Sequence, residues 1–182
     1  MLETPRLRLR RWLPRDEAPF AAMNADPEAM QYFPALITPE QSRMAIGMFE
    51  ANFENDGYSF WAVELKDGHA FVGSIGLEPY DLKSNTGEIR SSHVAIGWQL
   101  VRAYWGQGLA MEATQAVMED AANRIHLDEV IAVTHESNLR SVRLCERLDM
   151  QCDRNSPIDD STRALGHPLR RQLVYRRLLV KK

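Results

Sequence analysis

The sequence predicts an α/β fold in which a mixed sheet carries helices on both faces. Three features predict it. Runs with a two-residue apolar period read as half-exposed strands, as where Leu7 and Leu9 alternate with Arg6, Arg8 and Arg10. Segments with apolar residues at helical spacing read as amphipathic helices, as with Leu109, Ala113, Val117 and Ala121. The continuous apolar run at 130–134 reads as a strand covered on both sides.

In chain order, residues 6–12 form the first strand. Pro14, Arg15, Asp16 and Glu17 open a helix with Phe20 and Met23 on its inner side. Thr38, Pro39, Glu40 and Gln41 start a second helix, with an N-cap threonine, proline in the first turn and an acidic residue after it. Met44, Met48 and Phe49 follow at helical spacing, and Asn55, Asp56 and Gly57 close the region with turn residues. Residues 58–65 and 70–77 are strands joined by a Lys66-Asp67-Gly68 hairpin loop. Residues 81–92 are polar and read as a loop. The next strand, 94–101, sets Val94, Ile96, Trp98 and Leu100 against Ala95, Gly97 and Gln99. A glycine loop and a helix to about Ile125 come next, then the strand at 130–134. Ser137 and Asn138 start a helix that ends near Leu148, residues 155–166 read as a loop, and 173–179 is the last strand.

Length and composition narrow the function. At 182 residues the chain is about one domain, taken here as 1–182. Hydrophobic residues at 45% and charged residues at 26% exclude a disordered chain, a collagen-like fibre and a simple coiled coil. A net charge of −3 gives no general pull toward nucleic acid or a membrane surface. The arginines at 6, 8, 10 and 11 read as a solvated strand face. Cys145 and Cys152 are too few for a disulfide framework or a cysteine zinc site, so no metal is expected and a reduced, cytoplasmic setting is the simplest inference. The N-terminal residues lack the apolar core of a secretory signal, and no apolar stretch approaches membrane-spanning length.

The most informative stretch runs from Gln99 to Ala110, where a strand leads into Gly106-Gln107-Gly108 and the glycines lead into a helix. Such glycines expose backbone N–H groups at the positive end of a helix dipole, which suits a phosphate. The plainer alternative is a turn that needs glycine only for its backbone angles. A P-loop requires lysine after the last glycine, where Leu109 stands, and a dinucleotide fingerprint wants a third glycine at Met111. The pyrophosphate of coenzyme A is the third option.

These residues resemble the GCN5-related N-acetyltransferases (GNAT), in particular the branch containing the ribosomal-protein N-terminal acetyltransferases. The matching runs are Ile96-Gly97-Trp98-Gln99-Leu100, then Tyr104-Trp105-Gly106-Gln107-Gly108-Leu109-Ala110-Met111-Glu112-Ala113. Downstream come Asn138-Leu139-Arg140-Ser141 and Glu146-Arg147-Leu148-Asp149-Met150. The opening from Thr4 to Arg10 and the ending from Gly166 to Arg171 also fit. The chain departs from the family at Ala103, where arginine or glutamine is usual, with Arg102 one place off, and at Asp149, where glycine is usual. The resemblance implies a single-domain GNAT-like fold with a central mixed, mostly antiparallel twisted sheet.

It also implies transfer of an acetyl group from acetyl-CoA to a primary amine by direct attack in a ternary complex. The strand before the glycine loop would splay from its neighbour and admit the pantetheine arm. Leu100 and Val101 would offer it backbone groups, Trp105, Gly106, Gln107, Gly108, Leu109 and Ala110 would cradle the pyrophosphate, and Asn138 would contact the arm from the next helix. Many relatives carry a tyrosine acid where Cys145 stands, and in the branch that the sequence resembles the serine of Asn-x-x-Ser can play that part, which makes Ser141 the first candidate proton donor; its plain reading is a serine bonded to its own helix, and Cys145 is either a second donor or a small packing residue. Relatives often carry a glutamate base where Ala95 stands. His93 is the candidate proton acceptor, or else a solvated histidine at a strand end, with His135, Glu136, Glu78 and Glu88 behind it. The expected partners are acetyl-CoA and an amine, either a peptide N-terminus or a small molecule, and a homodimer is an expectation from the branch. The competing class is a non-catalytic acyl-CoA-binding or regulatory protein on the same fold.

Overall fold

The computed structural model describes residues 1–83, 89–160 and 163–181. Eight strands form one sheet in the order β1-β2-β3-β4-β5-β6-β8-β7. They are β1 (Leu2–Glu3), β2 (Leu7–Arg10), β3 (Phe60–Leu65), β4 (Phe71–Lys83), β5 (Ile89–Leu100), β6 (Glu129–Thr134), β7 (Gln151–Asp159) and β8 (Arg171–Leu178). All pairings are antiparallel except β5 with β6. The helices are α1 (Glu17–Asn24), α2 (Pro39–Asp56), α3 (Leu109–Asn123) and α4 (Leu139–Arg147).

The two faces carry separate cores. Leu7, Leu9, Val63, Ile75, Leu77, Ile96 and Leu100 pack with Leu109, Ala113, Val117 and Ala121 of α3 and with Leu144, Cys145 and Leu148 of α4. The small alanines of α3 let its backbone lie close to the sheet. On the opposite face Trp12, Phe20, Met23 and Ala62 pack with Phe49 and Phe71 under α1 and α2. Thr38 caps α2 by accepting from the Gln41 N–H, and Gly57 ends it with a left-handed φ of 77°.

Four expectations are corrected. Residues 81–92 are not all loop: β4 continues to Lys83 and β5 starts at Ile89, because Tyr80 and Leu82 pair with His93 and Ser91 across an extended ladder. The polar spelling marks an edge with solvent on one side, not a break in pairing. Residues 155–166 are likewise not all loop, since β7 reaches Asp159 and pairs with β8. Arg10 is not solvated: it is 9% exposed and lies between two buried carboxylates, Asp16 and Glu64. Met44 and Met48 follow the helical period but face water, and it is Ala45, Ile46, Phe49 and Phe53 that turn inward.

Candidate active site

The site begins where the sheet divides. β5 shares one register pair with β6, Ala95 with Ile131, while β6 pairs with β8 along its whole length from Glu129 to Thr134. Beyond Ala95 the two strands therefore separate. In an antiparallel ladder, alternate residues turn their backbone groups to opposite sides. The Val101 N–H donates to the Val72 carbonyl on β4, so the odd-numbered residues of β5 serve β4. The even-numbered ones face β6, and beyond the Ala95–Ile131 bridge Trp98 and Leu100 turn their N–H groups into the gap. A parted strand pair with free N–H and C=O groups suits a ligand that carries amides.

The glycine loop lies at the wide end of the gap. Gly106 and Gly108 hold left-handed φ values of 74° and 77°, and a β-carbon on Gly106 would meet nothing within 4 Å. Their requirement is the backbone angle itself. Gly108 is the N-cap of α3 and has no side chain to satisfy the first-turn N–H groups. Those donors are the ones an anion would take. Trp105 donates its indole N–H to the Leu100 carbonyl at 2.8 Å, which fixes the loop to the end of β5. The Val101 carbonyl accepts from Tyr104, so both backbone groups of Val101 already have protein partners. At the two departures from the family pattern, Ala103 is exposed and its carbonyl accepts from Gln107, and Arg102 is held by Asp26 and Glu28.

A brace that sequence reasoning missed supports this loop from outside. Glu112, in the first turn of α3, accepts from the Thr4 hydroxyl, the Arg6 backbone N–H and the Arg6 guanidinium. Arg6 also donates to the Gln107 carbonyl at 3.0 Å. Burial would raise the Glu112 pKa, but these donors outweigh it and hold the carboxyl below its usual range. The signal was present in the joint appearance of the Thr4 to Arg6 opening and Glu112, yet 106 residues separate them in sequence.

On the far lip, Asn138 caps α4: its Oδ1 accepts from the Ser141 N–H at 3.3 Å. Ser141 is 8% exposed, and its hydroxyl contacts the Cys145 thiol one turn on. Burial pushes the Cys145 pKa up to about 12, so its proton stays in place at neutral pH. Tyr175 of β8 lies behind, hydrogen-bonded to Cys152, with burial and the nearby thiols raising its own pKa to about 12. A tyrosine from another strand thus stands near the helix position that lacks one.

The α1–α2 face of the gap holds the other candidates. His93 and Ala95 share this face of β5 with Gly97 and Gln99. Both His93 ring nitrogens have partners: Nε2 meets the Ser91 hydroxyl at 2.7 Å and Nδ1 meets Glu129 at 3.3 Å. Glu78 of β4 stands directly opposite Ala95. Water reaches Glu78, but the surrounding protein desolvates its carboxyl and raises its pKa. Tyr80 next to it is raised by burial and by the charges of Asp160 and Glu78. His135 turns to Ser137 at 2.7 Å, and Glu136 lines a recess of about 340 Å³ on the far side of α4. Glu88 lies outside the described residues. Tyr32, between α1 and α2, closes this side by donating to the Ser137 carbonyl at 2.8 Å, while its own carbonyl accepts from Arg163. Among the described residues no cluster of three or more His, Cys, Asp or Glu suits a metal ion, and no helix is long and apolar enough to cross a membrane.

Known proteins resemble this chain in sequence and in fold. YkkB of Bacillus subtilis (strain 168) is 30% identical over 150 residues, which is 82% of this chain and 84% of that one. The acetyltransferase from Agrobacterium tumefaciens superposes with a TM-score of 0.77 at 22% identity, over 97% of this chain and 92% of that one. RimL, a ribosomal-protein alpha-N-acetyltransferase solved with coenzyme A, gives 0.75 at 15% identity, over 97% and 96%. The acetyltransferase (GNAT) domain family matches residues 6–151, which span Arg6 and Glu112 of the brace, the divided strands, the glycine loop and α4. With the family matched over most of its length and the fold shared throughout, this chain belongs to the GNAT acetyltransferases and is an N-acetyltransferase.

Proposed function

We propose that this chain, as a single acetyltransferase domain, moves an acetyl group from acetyl-CoA to a primary amine by direct attack within a ternary complex. The observation that carries this reading is the opening of the β5–β6 gap directly onto the first turn of α3. A phosphate-bearing, amide-rich arm fits both parts at once. Bound there, coenzyme A supplies the activated acetyl group. Trp105 to Ala110 hold the pyrophosphate through backbone N–H groups. Leu100 and Trp98 hold the arm from β5, and the Asn138 amide group faces it from α4.

Positioning supplies much of the acceleration, since two bound reactants need no further encounter. A strand rises ~3.3 Å per residue, so Ala95 lies about 16 Å from Leu100, roughly the reach of an extended arm. Ser141 gives a proton to the departing thiolate and is kept in place by Cys145. For the proton acceptor, His93 and Glu78 share the acceptor face. His93 must give up Ser91 or Glu129 to act, whereas Glu78 is opposite Ala95 and the surrounding protein already raises its pKa. The acceptor is a protein N-terminal amine or a small-molecule amine; a peptide N-terminus has the support of the RimL likeness in fold.

Calorimetric titration with acetyl-CoA, beside ATP and NAD at equal concentration, tests the reading. Binding of acetyl-CoA alone supports it. Preference for ATP or NAD, or no binding of acetyl-CoA, overturns it. A second reading, a non-catalytic acyl-CoA-binding or regulatory protein, is favoured by Ala95 at the family's base position and Cys145 at its acid position. Ser141→Ala separates the two. An enzyme loses turnover at unchanged coenzyme affinity, and a binding protein has no turnover to lose.

A further inference from the structure

We propose that Phe60 decides how long an acyl group the cleft accepts, by overhanging β5 where the acyl end of the coenzyme would leave the sheet. The proposal rests on the coenzyme reading above and goes beyond it, since nothing in that reading distinguishes one acyl group from another.

The first observation is a row across three strands. Phe60 of β3 pairs with Gly76 of β4, and Gly76 pairs with Gly97 of β5. Residues in register share a face of the sheet, so the Phe60 ring stands beside two positions that carry no side chain. The ring fills that space. A β-carbon on Gly97 would lie 2.9 Å from the ring Cζ and 3.0 Å from its Cε1, and a β-carbon on Gly76 would strike the Phe60 Cα and the Ser59 carbonyl. A side chain from β3 thus reaches across β4 to the strand that borders the gap. The second observation is that the ring is held from behind. The Phe49 ring of α2 lies 5.2 Å from it, centre to centre, and the Phe60 carbonyl accepts from the Trp12 indole N–H at 2.8 Å. A ring packed in this way gives ground only by losing those contacts.

The third observation is the space left at the end of the arm. Gly97 lies about 10 Å along β5 from Leu100, so an extended arm passes it near its acyl end. Straight ahead, the Ala95–Ile131 pair closes the gap. On the α3 face Ile96, Val117 and Val130 are buried in one core. The remaining way out is the face that carries Glu78, Ala95 and Gly97, and the Phe60 ring overhangs it at Gly97. An acetyl group is short enough to stop before the ring. A longer chain has to push the ring off Phe49 or give up its own place, and overfilling a packed site in this way is costly.

The test is calorimetry with coenzyme A, acetyl-CoA and butyryl-CoA on the wild type, Phe60→Leu and Phe60→Ala. The wild type is expected to bind butyryl-CoA about tenfold more weakly than acetyl-CoA, as suits a pocket that discriminates by methylene groups. The difference should narrow in Phe60→Leu and close in Phe60→Ala, while affinity for coenzyme A without an acyl group holds. Phe60→Leu keeps an apolar side chain against Phe49, so it decides the matter if Phe60→Ala fails to fold. Equal wild-type affinity for the two thioesters overturns the role of Phe60 and leaves the coenzyme reading intact. So does an unchanged difference in folded variants, or a loss that falls on all three ligands alike. Binding of none of the three by the wild type overturns the coenzyme reading and the role of Phe60 together.

Discussion

Asp149 shows how a single residue can depart from a pattern and keep its geometry. α4 ends with the Asp149 N–H on the Glu146 carbonyl and the Met150 N–H on the Cys145 carbonyl, the double bond of a Schellman turn. That turn needs a left-handed residue, and Asp149 adopts φ 52° to supply it. The family's glycine would do so without a β-carbon. Asp149→Gly is therefore expected to raise stability by about 1 kcal/mol in denaturant unfolding, since the contact with Arg177 is long at 3.6 Å and exposed. Glu64 makes a second case. Burial raises its pKa, but hydrogen bonds and charge from Arg10, with His69 and Arg15 beside it, bring it down to about 2 from 4.5. A carboxyl depressed on folding stabilises at pH above its unfolded value, so the contribution is full above about pH 4.5 and fades between there and about pH 2. Arg10→Ala leaves Glu64 and Asp16 buried without their shared cation and should cost about 3–5 kcal/mol at pH 7. Much of that penalty should vanish toward pH 2, which unfolding curves across pH would show.

At the scale of elements, the brace on α3 separates loop geometry from loop composition. Gly106 and Gly108 permit the turn, but Thr4, Arg6 and Glu112 set where it sits. Glu112→Gln keeps the size of the side chain and gives up its charge and one acceptor oxygen. Coenzyme affinity is expected to fall about tenfold, as suits one charge-assisted bond, with a smaller change in thermal midpoint. An unchanged affinity would mean that the glycines alone place the loop. The contrast also explains what could be read in advance. The apolar period located α3, β6 and the inner face of the sheet, and spacing located the glycine loop and Asn138, because each is a local property of a few consecutive residues. The brace, the partners of His93, the contact of Tyr32 with Ser137 and the pairing of Glu78 with Ala95 all join distant segments. Their residue types are common ones, and only the fold brings them into contact. The extension of β4 and β5 past Leu77 and before Val94 was hidden for a related reason: an exposed antiparallel ladder needs few apolar residues.

The whole molecule is a sheet in two parts, β1 to β5 and β6 with β8 and β7, joined in the ladder, among the described residues, through the Ala95–Ile131 pair. Other links cross the division. His93 meets Glu129, Tyr32 meets Ser137 and Arg140 lies over Trp105, while α3 packs beneath. Most of these links are polar and near the surface, so each contributes little to holding the parts in register. A ligand that fills the gap should replace the missing ladder. Anything that binds only the folded state stabilises it by mass action, about 2.7 kcal/mol at one hundred times its dissociation constant. Coenzyme A should therefore raise the thermal midpoint of the wild type. The location of the effect is the sharper prediction. Amide hydrogen exchange should slow at Trp98 and Leu100, whose N–H groups turn into the gap, and along the first turn of α3. The amides of β2 and β3, already paired on both sides, should change least. Uniform slowing across the sheet would indicate global stabilisation from a site elsewhere. Slowing confined to residues 105–110 would place the phosphates correctly and remove the arm from the β5–β6 gap.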